Sequence, residues 1–226
     1  SYVDKASEKR IVERLHELLP EAGFIAEEGS GSLEEQEYCW VVDPLDGTSN
    51  YIHDCTPYCV SIALRNREEI LLGVVYECGR EELFWANKNS RAYLNGKEIC
   101  VSDQSVLDQS FIMPELPYKA ERYSPFILPL MRDLCGYVSG IRMLGSAAAE
   151  LCYVAAGRFE IFIEAFLGPW DIAAGYIILK QAGGRMTDFS GNSNGPDAKE
   201  VLASNGKVHE ELLKVLQRHK KLLKHE

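Results

Sequence analysis

Residues 40–50 read Trp-Val-Val-Asp-Pro-Leu-Asp-Gly-Thr-Ser-Asn, and this run constrains the chain more than any other. Trp40-Val41-Val42 is apolar and β-branched, the signature of a buried strand. The strand ends directly in two carboxylates, Asp43 and Asp46, set around a rigid Pro44 and followed by a Gly47-Thr48 turn. Such an ending delivers acids, a free carbonyl and backbone N–H groups to one spot at a sheet edge. Hard divalent cations take oxygen ligands of this kind, and a phosphate takes the N–H groups.

Further acids stand at the ends of other apolar segments. Glu27-Glu28 follows Phe24-Ile25-Ala26, and Asp171 follows Trp170 at a helix start. Taken singly, each has an ordinary explanation: an Asp-Gly turn, a helix cap at Asp171, a solvated Glu-Glu-Gly loop. Taken together they point to one polynuclear metal site. Several carboxylates within a few ångströms repel strongly in a low dielectric, and a cation is the natural remedy. The net charge of −10 fits that reading, because bound cations reverse the sign of a site meant for an anion.

Composition excludes other classes. No basic face is visible apart from the tail RHKKLLKHE, which suits the end of a helix, so a nucleic-acid partner is not expected. No apolar run is long enough to span a membrane, and residues 1–20 are too charged for a signal peptide. Seven cysteines without a C-x-x-C pair fit reduced thiols in a cytoplasmic protein. Cys55 and Cys59 lack a second ligand pair, and the histidines at 16, 53, 209, 219 and 225 form no cluster and read as mostly surface residues. Both points argue against zinc.

The chain is long enough for one large domain or two intimately packed ones. The pattern predicts an amphipathic helix over 4–19, with Ile11, Leu15 and Leu18 on one face and Pro20 closing it. Strands follow at 24–26, 40–43, 60–64, 71–76 and 83–86, then a hairpin over 93–101 with an Asn95-Gly96 turn, which suggests an antiparallel sheet. Residues 102–125, rich in Ser, Asp and Pro, read as a loop-prone junction. The second half alternates: helix 126–134, strand 141–144, an Ala-rich helix from Gly145-Ser146 to Ala156, and strand 159–164. A helix from Trp170-Asp171, closed by Gly183-Gly184, precedes strands at 186–188 and 201–203 and a last helix over 208–223. Ser146 is placed as an N-cap. The expected division is 1–105, carrying the metal motifs, and 106–226, carrying substrate-binding residues and the last metal ligand.

Four motifs in order carry a family resemblance: Asp4, Glu27-Glu28, Asp43-Pro44-Leu45-Asp46-Gly47-Thr48 and Trp170-Asp171. The chain resembles the inositol monophosphatase family of magnesium-dependent, lithium-sensitive phosphatases, over nearly its whole length. The resemblance implies an α/β (α+β) fold, a layered αβαβα sandwich, and a cytoplasmic homodimer acting on a small-molecule phosphate ester. It implies two to three Mg²⁺ ions. Glu27, Asp43 and the Leu45 carbonyl would hold the first, Asp43, Asp46 and Asp171 the second, with Glu27 contributing to a weaker third. Thr48, Asp4 and Glu27 form the implied catalytic set, Asp4 orienting the Thr48 hydroxyl toward the attacking water; Glu28 stands behind the ligands. Substrate contacts are implied for Glu27, Leu45, Asp46, Gly47, Thr48, Gly145, Ser146, Ala147, Glu164 and Asp171, with Glu164 matching the family's polyol-binding glutamate.

The implied reaction is hydrolysis of inositol monophosphate to inositol and phosphate. A 3′,5′-bisphosphate nucleotidase or fructose-1,6-bisphosphatase of the same superfamily is the rival. Such enzymes need extra Lys or Arg for a second phosphate, and only Arg142 and Arg158 stand near Gly145–Glu164. A non-catalytic binding protein is disfavoured by retention of every ligand and Thr48. Two departures from the family stand out. The sequence begins three residues before Asp4, where the family carries a further helix, and the stretch from Glu28 to Asp43 is short.

Overall fold

A computed structural model describes residues 2–29, 36–116, 120–193, 195–220 and 222. Helix α1 (Tyr2–Leu18) is stopped by Pro20 and lays Asp4, Glu8 and Leu15 on its buried side. Spacings of four and seven put these three on one face. Leu18, expected on that face, is 72% exposed, because the stripe drifts round the helix before its last turn.

The first sheet has seven strands in sequence order: β1 (Gly23–Ala26), β2 (Tyr38–Asp46), β3 (Cys59–Asn66), β4 (Ile70–Glu77), β5 (Glu82–Asn87), β6 (Ala92–Leu94) and β7 (Lys97–Ile99). A short helix, α2 (Thr48–Ile52), leaves the end of β2. Every neighbouring pair is antiparallel except β1–β2, which runs parallel. Asn95 and Gly96 both have positive φ, as the expected hairpin turn requires.

The second sheet has five strands in the order β11-β12-β10-β8-β9. In chain order its elements are β8 (Phe111–Pro114), α3 (Ala120–Leu134), β9 (Gly140–Ile141), α4 (Ala147–Ala155), β10 (Ile161–Ala165), α5 (Pro169–Gln181), β11 (Arg185–Thr187), β12 (Glu200–Ser204) and α6 (His209–Lys220). Helices α4 and α5 pack on each other and fill the gap between the sheets, α5 against β2–β5 and α4 against β10 and β12. Every residue of α4 is buried, as an Ala-rich, apolar helix demands. Helix α1 covers the outer face of the first sheet, while α3 and α6 pack together beyond the second. The layers are therefore αβαβα, in a mixed α/β fold.

Three expectations are corrected. The junction at 102–125 contains strand β8, paired on both sides in its sheet, and the first residues of α3: Phe111-Ile112-Met113 is too short an apolar run to stand out among Ser, Asp and Pro. The strand expected at 141–144 ends at Ile141, because the Leu144 N–H and C=O are taken by the side chains of Glu115 and Asn50. His209 is fully buried rather than on the surface, its ring held between the Thr187 and Ser204 hydroxyls at 3.0 and 2.8 Å. Burial pushes its pKa down to about 4, so the imidazole stays neutral. The last part of the closing helix expected over 208–223, and most of the loop between Glu28 and Asp43, lie outside the described residues.

Helix α5 approaches β4 at Gly73, where a Cβ would lie 2.6 Å from the Ala174 carbonyl oxygen and 2.8 Å from its Cα. Backbone cannot yield there as a flexible side chain would. Gly73→Ala is expected to lower unfolding free energy by about 1–3 kcal/mol, the usual cost of overpacking, read from the urea midpoint.

Candidate active site and metal centre

Strand residues alternate faces, so Asp43 and Asp46, three apart, would ordinarily point to opposite sides of the sheet. The register prevents this. Asp43 pairs with Ser61 and Asp46 with Cys59, three steps on β2 against two on β3. One extra residue is accommodated as a bulge at Pro44-Leu45, where proline has no N–H to lose from the ladder. The bulge returns both carboxylates to one side, and the Leu45 N–H closes the turn by donating to Asp43 Oδ1 at 2.9 Å. Gly47 follows with φ of +85°, and a Cβ there would lie 2.9 Å from the Pro57 carbonyl oxygen. Only glycine permits this turn without strain.

Asp171 reaches the same place from the first turn of α5. Its Oδ2 accepts from the Gly168 N–H at 2.6 Å, so the expected capping role and a ligand role coincide. Carboxylate oxygens of Asp43, Asp46 and Asp171 all lie within 4.8 Å of one another. Glu27, just past β1, stands beside Asp43. All four acids are pushed upward in pKa, chiefly by burial; neighbouring carboxylates add to this at Glu27, Asp43 and Asp171, whereas hydrogen bonds from Ser146, Ala148 and Cys59 oppose it at Asp46. Asp171 rises to about 7. The donor set is oxygen-only and its charge is uncompensated, which fits hard divalent cations.

Asp46 is held most firmly. Its Oδ2 accepts from the Ser146 hydroxyl at 2.7 Å and the Ala148 N–H at 2.8 Å. Ser146 was expected to cap α4 itself, but its side chain makes no cap bond; the distant carboxylate caps the helix instead. The Cys59 thiol also lies 3.6 Å from Asp46 Oδ2. Asn50 anchors the Gly145-Ser146 turn, its Nδ2 donating to the carbonyls of Leu144 and Pro57, each at 2.7 Å.

The Thr48 hydroxyl donates to the Leu45 carbonyl at 2.9 Å, leaving that oxygen its second lone pair. Asp4 is buried on α1, close enough for its charge to act on Glu27. Glu27, Asp46, Gly47, Gly145, Ala147, Glu164 and Asp171 line one cavity of about 340 Å³, a normal size for a small-molecule site. Arg158 is not among the lining residues and is paired with Glu82; Arg142 stacks over Phe111.

Several contributing residues escape a reading of the sequence. Glu8 accepts from the Glu28 N–H at 2.8 Å and so fixes the chain beside Glu27; its place one turn after Asp4 was the available signal. The Ser61 hydroxyl donates to the Trp170 carbonyl at 3.2 Å, tying β3 to the start of α5. Glu115 lines the cavity from the end of β8, obeying the same rule of an acid after an apolar run.

The inositol monophosphatase family model matches residues 1–221. The chain belongs to the inositol monophosphatase family. A Nus factor SuhB of Pseudomonas aeruginosa is 36% identical over 222 residues, covering 96% of this chain and 82% of that one. A fructose-1,6-bisphosphatase/inositol-1-monophosphatase of Thermotoga maritima is 36% identical over 214 residues, covering 95% and 80%. The structure of an inositol monophosphatase from Anabaena superposes with a TM-score of 0.90 at 35% identity, over 96% of this chain and 86% of that one. Phosphatase chemistry and metal dependence are properties of this family, and the acidic cluster is placed to serve them.

Two outcomes follow from this geometry. Ser146→Ala removes a hydrogen bond to Asp46 and is expected to weaken divalent-cation affinity by about 10–100-fold, measured by metal titration against thermal stability. With Asp171 at about 7 in the folded chain and 3.8 as its reference value, the folded state binds the extra proton between those values. The metal-free protein therefore loses stability as pH rises through that window, at up to about 1.4 kcal/mol per pH unit for one such group. His209, lowered from 6.5 to about 4, acts in the opposite sense below 6.5, so the loss is read above that: the melting temperature should be higher near pH 6.5 than near pH 7.5, with the difference shrinking once a saturating divalent cation is present.

Proposed function

We propose that this chain is a Mg²⁺-dependent phosphomonoesterase acting on small polyol monophosphates of the inositol monophosphate type. The observation that carries this reading is the convergence of Asp43, Asp46 and Asp171, the last two lining a cavity that Glu164 also lines. Glu27, Asp43, Asp46, Asp171 and the Leu45 carbonyl would hold the cations. Bound there, divalent cations supply neutralisation of the phosphate and leaving-group charge and a lowered pKa for the attacking water.

The chain's own residues do the rest. The Thr48 hydroxyl, whose hydrogen goes to the Leu45 carbonyl, accepts from the attacking water and orients it for in-line attack, with the Asp4 carboxylate near Glu27 on the same side. The N–H groups of Gly47 and Thr48 face the phosphate oxygens at the start of α2, and the Ala147 N–H is available at the start of α4. Glu164 accepts hydroxyl donors of the polyol. A bisphosphate substrate is disfavoured: among the described residues lining the cavity there is no lysine or arginine for a second phosphate.

Initial rates of phosphate release with inositol 1-phosphate, fructose 1,6-bisphosphate and adenosine 3′,5′-bisphosphate, with and without Mg²⁺, test the reading. The expected result is metal-dependent hydrolysis with inositol 1-phosphate preferred. Asp43→Asn should remove that activity while leaving the far-ultraviolet circular dichroism spectrum unchanged; full activity in this variant would contradict the ligand assignment.

A further inference from the structure

The cavity also carries carboxyl groups outside the set assigned to the metal centre. Glu115 and Glu164 both line it, on the end of β8 and on β10. Glu150, from α4, stands behind Glu115. It is fully buried, with its carboxyl group set against that of Glu115, so that the two can share one proton. The Tyr123 hydroxyl, near Glu164 and Glu115, is also fully buried, and it is unpartnered. One Glu115 oxygen accepts from the Leu144 N–H at 2.6 Å, which fixes that side chain as an acceptor facing the cavity. No lysine, arginine or histidine is among the described lining residues.

This arrangement differs from the metal centre in one respect. The acids around Asp43 would have divalent cations to balance them, whereas burial pushes Glu115, Glu150 and Glu164 upward in pKa, toward the protonated form, and an ammonium could take the place of such a proton. Buried carboxyl groups left unpaired are costly, and the cost is removed by a cation that also donates hydrogen bonds. A hydroxyl offers one donor hydrogen; an ammonium offers three and a positive charge. The cavity brings such a group to the cluster only as part of a ligand whose phosphate lies at the metal end.

We propose that Glu115 and Glu164, backed by Glu150, form a subsite for a protonated amine on the organic part of the phosphate ester. The preferred substrates are then amino-alcohol or amino-sugar monophosphates, ahead of neutral polyol monophosphates of the same skeleton. This rests on the phosphomonoesterase reading and narrows it to a substrate class. Charge complementarity at a desolvated site acts on selectivity, so the effect belongs in kcat/KM.

The test compares kcat/KM in saturating Mg²⁺ for two matched pairs, each differing by an amine in place of a hydroxyl. One pair is 2-aminopropane-1,3-diol monophosphate and glycerol 1-phosphate; the other is glucosamine 6-phosphate and glucose 6-phosphate. The expected result is a preference of at least about tenfold for the amine in one pair or both, falling to within about twofold in Glu115→Gln. Glu150→Gln serves as the second variant, with the same expected loss, should the first not fold. Ratios near one in both pairs, with phosphate still released, overturn the amine subsite and leave the phosphatase reading standing. A preference that survives both substitutions overturns the assignment to this cluster. No Mg²⁺-dependent release from any ester, inositol 1-phosphate included, overturns both.

Discussion

The extra residue at Pro44-Leu45 is the constraint on which the rest of the site depends. Without it, the alternation of β2 would send Asp43 and Asp46 to opposite faces, and no cation could bridge them. The bulge costs ladder hydrogen bonds, and the local structure offsets the loss with the Leu45 N–H to Asp43 contact and the Thr48 hydroxyl to Leu45 contact. Proline at the bulge lowers the cost further, since it has no N–H to satisfy. Sequence, backbone and chemistry agree at this point. The Asp-Pro-Leu-Asp-Gly-Thr run serves at once as a strand ending, a turn and a ligand set.

Four acids gathered at one place, Asp43 buried, Asp46 and Asp171 half-buried and Glu27 exposed, repel one another and work against folding, and the surrounding contacts hold them there. Glu8 ties the chain beside Glu27, the Gly168 N–H holds Asp171, and Ser61 links β3 to the start of α5. Helix α5 is itself located by the close backbone approach at Gly73. The position of Asp171 is thus set by packing between α5 and the first sheet, although its codon lies far from theirs. The same cavity takes further acids, Glu115 after β8 and Glu164 on β10, with Glu150 of α4 beside Glu115.

How much of this was visible in the sequence follows from how local each signal is. Asp43, Asp46, Glu27 and Asp171 were visible because each follows an apolar run directly. The bulge was not, since it is a mismatch of register between β2 and β3 and has no signature in either alone. Glu115 follows the same rule as the others, but its strand was hidden by the Ser, Asp and Pro around it. His209 looks like a surface residue at a helix start; only Thr187 and Ser204, brought from two other strands, make it a core residue. Ser146 has the sequence of an N-cap, yet the helix it precedes is capped by a carboxylate a hundred residues away.

That last exchange has a wider consequence. Asp46 joins β2 to the first turn of α4, where two donors and the positive end of the helix dipole fix its orientation. If this residue is a ligand as proposed, ion capture by it would require little rearrangement, unlike small domains whose ligands are scattered until the metal gathers them. Chelation should empty such a centre and leave an ordered scaffold behind, so that loading and unloading are reversible events on a chain that is already folded.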